Sequence, residues 1–389
     1  MPIPAALRLS APTASKTRSG ARLWFVGALP PPLHGQSNCN RAMLDYFVAQ
    51  GAPVDLRDTG GTGATKLRRT IGAALALAVG GKRDDRAYLS VPGQRGVWLF
   101  VLLTLILRLR GIEHWIHHHS FRPINLGPSR AMQALVAAGG RRQHHILLSN
   151  DMRRRFAGLY LDDETDDRAT SLSNAYLFGP RIEDDHPRAR PERPVTLGHM
   201  SVLTREKGVP YLLDLFAGLA ARGHDWRLVI AGPCADPALS AALAAATVAG
   251  VDGRPPRVEY RGSVQGAEKE RFFSDIDLFV LPTTLIDEAE PLVMLEAFAR
   301  GVDVVASDTG CIRDRIRTPG HLLTLDRERD FALIEDRVAD LAGDWIATRQ
   351  ACTAHARGIN AGAEVEAARF FPRLLAPFGG VASSGSPVT

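Results

Sequence analysis

The feature that most constrains this chain is a repeated alternation of short apolar runs with amphipathic ones. "RLWFVGAL", from Arg22, reads as a strand; the loop "PPPLHGQS" and the helical pattern "NCNRAMLDYFVAQG" follow it. Further strand candidates stand at "RAYLSV" (86–91), "IEHWIHHH" (112–119) and "HHILLS" (144–149), with helical patterns between them. After residue 194 the alternation restarts. Strands "VTLGHMS", "DWRLVIAG", "RVEYRG", "DLFVLP" and "DVVAS" are separated by helices "VPYLLDLFAGLAARG", "DPALSAALAAATVAG", "GAEKERFFSDI" and "PLVMLEAFARG". A βαβ series of this kind predicts a parallel, doubly wound sheet. The expected fold class is α/β, two doubly wound Rossmann-like domains facing a central cleft, where ligands bind outside the carboxyl ends of the strands.

Between the two series lies "RIEDDHPRARPERP" (181–194), charged, with three prolines and almost no apolar residue, which reads as a linker. The division expected is a disordered leader over 1–20, a first domain over 21–180, the linker, and a second domain over 195–360. A C-terminal helix over 361–380 then crosses back to the first domain, and a disordered tail fills 381–389. The leader, "MPIPAALRLSAPTASKTRSG", lacks the apolar core of a signal peptide.

Hydrophobic residues make up 45% of the 389, ample for two cores. The formal charge of +5 favours an anionic partner without choosing among nucleotide, nucleic acid and membrane surface. Four scattered cysteines (Cys39, Cys234, Cys311, Cys352) show neither zinc spacing nor a disulfide framework, which suits reduced thiols in the cytosol. The longest apolar run, "VWLFVLLTLIL" (97–107), is too short to span a bilayer. It predicts a buried helix, with a helix lying on the membrane surface as the alternative.

The chemistry concentrates in "DEAEPLVMLEAFARG" (287–301), behind the strand "IDLFVLP". Pro291 suits the first helical position, so the free N–H groups near Leu292 and Val293 can receive phosphate oxygens. Glu288 then lies just before the helix and Glu296 in its second turn. A carboxylate is a pure acceptor able to take two hydroxyls. Acids beside an anion-binding helix start therefore match a ligand with a diphosphate between two hydroxylated groups; the plain alternative is complementing the helix dipole. Lys207 precedes a glycine at another helix start, where a compact charge can meet phosphate. In "HWIHHHSF", His117 and His119 share a strand face and resemble metal ligands, but no third ligand stands at suitable spacing.

"EAEPLVMLEAFARG" resembles the Glu–x7–Glu signature of family 4 glycosyltransferases, retaining enzymes of the two-domain GT-B fold; Glu288 and Glu296 hold the two positions. The likeness runs over about residues 195–318, through "GHMSVLTREKGVPYLLDLF", "RGSVQGAEKERFFSDIDLFVLPT" and "ASDTGCIRDRI". It implies that Glu296 accepts ribose hydroxyls, Glu288 sits by the donor sugar, and Lys207 neutralises the diphosphate leaving group. The family often has an arginine where this chain has Val202; Arg205 could supply that charge. "LPPPLHGQSN" is similar to the loop facing the diphosphate, with Gly35 allowing close approach. The family's "HxHG" places a donor-contacting histidine at His119, with Ser120 standing for the glycine.

The implied activity is transfer of a sugar from a nucleotide diphosphate sugar to an acceptor hydroxyl with retention, in bacterial surface polysaccharide or glycolipid assembly. The implied partners are a nucleotide sugar and a carbohydrate or lipid-linked acceptor, with no nucleic acid, no cofactor and no metal. Within "GHMSVLTREKG", "SVL" is similar to the "SNL" of polysaccharide and lipopolysaccharide members; together with the apolar, basic first domain it suggests a lipid-linked acceptor, and peripheral contact with the inner face of the membrane is a further expectation. The rivals are a nucleotide-sugar epimerase on the same fold and a non-catalytic sugar-nucleotide-binding subunit. A nicotinamide dehydrogenase is disfavoured because no GxGxxG follows a strand.

Overall fold

The computed structural model describes residues 20–31, 35–93, 96–178, 182, 192–247 and 257–379. The expected leader apart from Gly20, the tail and most of the 181–194 segment lie outside these residues, as do Pro32–His34 of the first loop. The chain divides into two compact units. Unit 1 comprises Met1–Phe178 and Gly362–Thr389, and unit 2 comprises Gly179–Ala361.

Unit 1 contains β1 (Leu23–Gly27), α1 (Gly35–Ala49), β2 (Val54–Asp58), α2 (Gly63–Gly80), β3 (Arg86–Val91), α3 (Val97–Leu109), β4 (Glu113–His118), α4 (Arg122–Asn125), α5 (Arg130–Gly139), β5 (Gln143–Leu147), α6 (Asn150–Tyr160), β6 (Ala169–Ser171) and α7 (Ala175–Phe178). Unit 2 contains β7 (Thr196–Met200), α8 (Val209–Ala221), β8 (Arg227–Ala231), α9 (Pro237–Ala246), β9 (Val258–Tyr260), α10 (Ala267–Asp275), β10 (Leu278–Leu281), α11 (Leu292–Ala299), β11 (Asp303–Ser307), α12 (Ile312–Arg315), β12 (Leu322–Leu323) and α13 (Arg327–Gly343). The last helix, α14 (Trp345–Leu375), is continuous; Cys352 and Ala356 enter a core of unit 2, and Phe370, Phe371 and Leu374 enter that of unit 1.

Each unit is built on a parallel six-stranded sheet, in the order β2-β1-β3-β4-β5-β6 and β12-β11-β10-β7-β8-β9. A parallel sheet covered on both faces demands strands that are apolar throughout, and β1, β10 and β11 are buried at every position. The edge strand β2, "VDLRD", has no buried residue, so it lacks the signal by which its neighbours are recognised in sequence. Right-handed crossovers then place α1 on one face of the first sheet and α2, α3 and α5 side by side on the other. On the α1 face, Tyr46 meets Phe371 at 4.1 Å between ring centroids.

Both sheets reverse their direction of winding at a strand pair: β1/β3 in unit 1 and β7/β10 in unit 2. The loops that follow such a pair open a crevice at the carboxyl edge. In unit 2 that pair is fastened at its opposite end by Asp277, which accepts from both Arg193 guanidinium nitrogens at 2.7 and 3.0 Å and from the Thr196 N–H at 2.8 Å.

Candidate functional site

In unit 2 the crevice is formed by the loops after β7, β10 and β11. Gly208 caps α8 in the left-handed region, φ 78°, and a Cβ there would lie 2.0 Å from the Pro282 carbonyl oxygen. The β7 loop therefore lies directly on the β10 loop. The Thr284 N–H donates to the Glu206 carbonyl at 2.7 Å. That contact carries Lys207 onto Glu288: Nζ and Oε2 are 2.5 Å apart. Thr283, fully buried, donates to the same carboxylate oxygen at 3.1 Å. Gly310, at φ 62°, presses the β11 loop against the backbone of Glu288, where a Cβ would meet the carbonyl oxygen at 2.4 Å. The Cys311 N–H donates to the Ala289 carbonyl at 2.8 Å, and the Ser307 hydroxyl donates to the Thr283 carbonyl. Three loops thus hold one carboxylate at 7% exposure beside one lysine. Removing either partner of a pair at such burial typically costs about 3–5 kcal/mol.

Pro291 is the cap of α11, not its first helical residue: its φ of −69° suits a helix but its ψ is 110°. The Met294 N–H bonds back to the Pro291 carbonyl at 3.2 Å, so the helix opens at Leu292. The N–H groups of Leu292 and Val293 have no carbonyl four residues earlier within the helix. Glu296, a turn further on, accepts from Lys269 Nζ at 2.6 Å. Both glutamates of the spaced pair therefore stand next to a lysine. Glu290, the third acid of the stretch, is turned inward onto the Arg315 guanidinium and is structural. Arg205 is well exposed and pairs with Asp236, the cap of α9, at 3.3 Å, away from the Lys207–Glu288 pair in its bonding. Val202 is exposed. Behind the loops His199 is fully buried between the Val280 carbonyl and Ser201 Oγ, both 2.9 Å from a ring nitrogen. Burial pushes its pKa down to about 4, the Val280 carbonyl opposing this only in part, so it is a neutral spacer.

In unit 1 the start of α1 is fixed to the end of β3, since Gln36 Nε2 donates to Ser90 Oγ at 2.9 Å and to the Val91 carbonyl at 3.2 Å. Gly35, the first residue of α1, is exposed, and a Cβ on it would meet nothing within 4 Å, so no backbone approach inside this unit requires the glycine. His119 lies half-buried just beyond β4, its ring 4.1 Å from that of His117. The third ligand missing from the strand spacing comes from another element. Cys39, on α1, brings its sulfur to the two histidines, and the three ligand atoms lie within 4.8 Å of one another. His117 is oriented by Tyr88, whose hydroxyl is 2.6 Å from Nδ1. Burial holds the His117 imidazole well below its ordinary pKa, helped by His119 and His118. The other face of β4 carries a second pair, His118 Nε2 and His145 Nδ1, at 2.9 Å.

Among the sites the sequence singled out, Lys207 and Glu288 come into contact, and Glu296, Leu292 and Val293 lie on the helix that follows. Thr283, Lys269 and Gly310 were not singled out. The one local signal for Thr283 is its place directly behind a strand in "LPTT"; Lys269 stands on α10 and carries none.

No helix among the described residues is long and apolar enough to cross a membrane. No curated protein matches the chain. HepE of Anabaena, solved in complex with UDP, is similar with a TM-score of 0.65 at 15% identity, covering 91% of this chain and 100% of that one. A glycosyltransferase of Rickettsia africae gives 0.66 at 11% identity over 93% and 100%. The catalytic domain of starch synthase IV from Arabidopsis thaliana, bound to ADP and acarbose, gives 0.61 at 11% identity over 90% and 99%. The fold is that of GT-B glycosyltransferase structures. Residues 193–344 match the family model of Glycosyl transferases group 1.

Proposed function

We propose that the protein transfers a sugar from a nucleotide diphosphate sugar to an acceptor hydroxyl, with retention at the anomeric carbon. The observation that carries this reading is the Lys207–Glu288 pair, 2.5 Å apart at the winding reversal of the second sheet and followed by the opening turn of α11. Lys207 and the N–H groups of Leu292 and Val293 together offer a positive seat for a diphosphate. Glu296 takes the ribose hydroxyls, and Glu288 takes a hydroxyl of the donor sugar while keeping Lys207 aimed at the phosphates. The match to Glycosyl transferases group 1 and the UDP and ADP held by similar structures support the same ligand class.

The departing diphosphate accumulates charge, and donors fixed in advance stabilise it without reorganisation. The acceptor approaches the face that the diphosphate leaves, and a phosphate oxygen takes its proton. No protein nucleophile and no metal enter this scheme; orientation and charge neutralisation are the protein's part. Arg205 adds the positive charge that Val202 does not supply. The acceptor is a carbohydrate or a lipid-linked glycan of surface polysaccharide assembly, handled at the inner face of the membrane. Thermal-shift and calorimetric titration with uridine and guanosine diphosphates and their sugars tests the reading. Binding of one series is expected, with turnover only when an acceptor is added. Consumption of donor without acceptor would favour the epimerase, and absence of binding to every nucleotide would overturn the proposal.

A further inference from the structure

The helix α3 departs from its expectation of burial. Phe100, Leu103 and Leu107 point into the core, but Trp98, Leu102, Leu105 and Leu109 are exposed. On α2, which packs beside it, Leu67, Ile71, Leu75 and Val79 repeat at four-residue intervals and are exposed as well. Val79 at 83% and Leu109 at 77% are the two most exposed large apolar side chains among the described residues. Exposed apolar side chains gathered on two adjacent helices, rather than scattered singly, point to a contact site.

The charge on these helices is basic. The helices α2, α3 and α5 hold Lys66, Arg68, Arg108 and Arg130 and not one aspartate or glutamate, and Arg69 of α2 pairs with Asp58 of β2 at 2.7 Å. At the end where Val79 and Leu109 lie, Arg110 donates to the Gly81 carbonyl at 2.9 and 2.5 Å, Arg108 to the Ala137 carbonyl at 3.0 Å, and Arg142 to the Gly111 carbonyl at 3.1 Å. The carbons of Arg83 lie against Gly111. None of Lys82, Arg83, Arg108, Arg110 and Arg142 has a carboxylate partner among the described residues; the acid in this rim is the exposed Asp84. At the other end Lys66 Nζ lies next to Gly96, beside Trp98. By contrast, Arg154 and Arg155 of α6 share Asp151 as a partner, at 3.2 and 3.7 Å.

We propose that the α2–α3 face of unit 1 lies on a bilayer surface rich in anionic lipid, its leucines, valine and Trp98 entering the headgroup boundary and its lysines and arginines meeting lipid phosphates. A protein partner of ordinary composition would bring acids of its own to some of these cations, but a rim charged at both ends of two parallel helices suits a flat, uniformly negative plane. This surface is distinct from the nucleotide site of unit 2, and either proposal can fail while the other stands.

The test is co-sedimentation of the full chain, without nucleotide, with vesicles of phosphatidylcholine alone or with about one-third phosphatidylglycerol. The chain is expected to pellet with the anionic vesicles and much less with the neutral ones, in a salt-sensitive manner. Val79→Gln with Leu109→Gln, both on exposed positions, should weaken binding about tenfold, and Lys82→Glu with Arg83→Glu by a similar factor. Circular dichroism and nucleotide affinity should be unchanged in both variants. Failure to bind anionic vesicles, or binding indifferent to all four substitutions, overturns the proposal. So does a stable dimer that the apolar pair of substitutions converts to monomer, because a second copy then covers the face.

Discussion

Acidification should destabilise unit 1 through its buried histidines. His114, His117, His118 and His145 are each no more than 3% exposed, on two adjacent central strands. Burial, the first cause for every one of them, pushes His114 to about 4 and His118 to about 3 and holds His117 and His145 well below the ordinary imidazole range. The unfolded chain protonates them near pH 6.5. Below that value the unfolded state binds more protons, so the stability these neutral rings allow is complete above about pH 6.5 and is lost as pH falls toward the native values. Between pH 6.5 and 5.5 each such group costs about 1 kcal/mol, and four cost about 4 kcal/mol, a large share of a domain's usual 5–15 kcal/mol. Unit 2 has His199, pushed to about 4, and the half-buried His355, lowered less completely, and should lose no more than about 2 kcal/mol. Hydrogen exchange read by mass spectrometry, in a urea series at the two pH values, separates peptides of β4 and β5 from those of β10 and β11. Equal opening free energies for β4 and β5 at both pH values would mean that these imidazoles protonate in the folded protein, and the burial argument would fail.

Three further outcomes concern the loops of unit 2. Glu296→Gln should weaken nucleotide binding by about 1.5–3 kcal/mol, the scale for hydrogen bonds to charged groups; calorimetry showing unchanged affinity removes Glu296 from the ribose. Lys207→Ala should slow turnover more than it weakens nucleoside diphosphate binding, and equal effects on both would speak against a leaving-group role. It should also lower stability by about 3–5 kcal/mol, because Glu288 is left with Thr283 alone of its two side-chain donors. Gly208→Ala meets both a left-handed backbone and the Pro282 carbonyl, so urea unfolding should show a loss of about 2–4 kcal/mol together with weakened donor binding. Retention of both would mean that the contact between the β7 and β10 loops is dispensable.

Much of the fold is legible in the sequence because parallel strands buried on both faces leave continuous apolar runs, as in β10 and β11. The strands that escape are short or at edges: β2 with no buried position, the three-residue β6 and the two-residue β12. The site divides along similar lines. Glu288 and Glu296 can be found from local spacing, since loop and helix start are contiguous in sequence. Their pairing with lysines cannot be read so, because Lys207, legible by itself from its place before Gly208, reaches Glu288 across 81 residues, and Lys269 reaches Glu296 across 27. Cys39 joins His117 and His119 only through the packing of α1 on the sheet. Pro291 is misplaced by one residue for a different reason: proline fixes φ but leaves ψ free, and here ψ is extended. The apolar run of α3 reads as buried because its composition is apolar all round, whereas α2 and α5 flank it and leave one side open.

The most direct test is a crystal structure of the protein with the nucleoside diphosphate that binds it best. The ribose hydroxyls are expected about 3 Å from the Glu296 carboxylate, the diphosphate on the N–H groups of Leu292 and Val293, and Lys207 within reach of its terminal oxygens. A nucleotide bound elsewhere, with Lys207 directed away from it and Glu296 still held only by Lys269, would contradict the account.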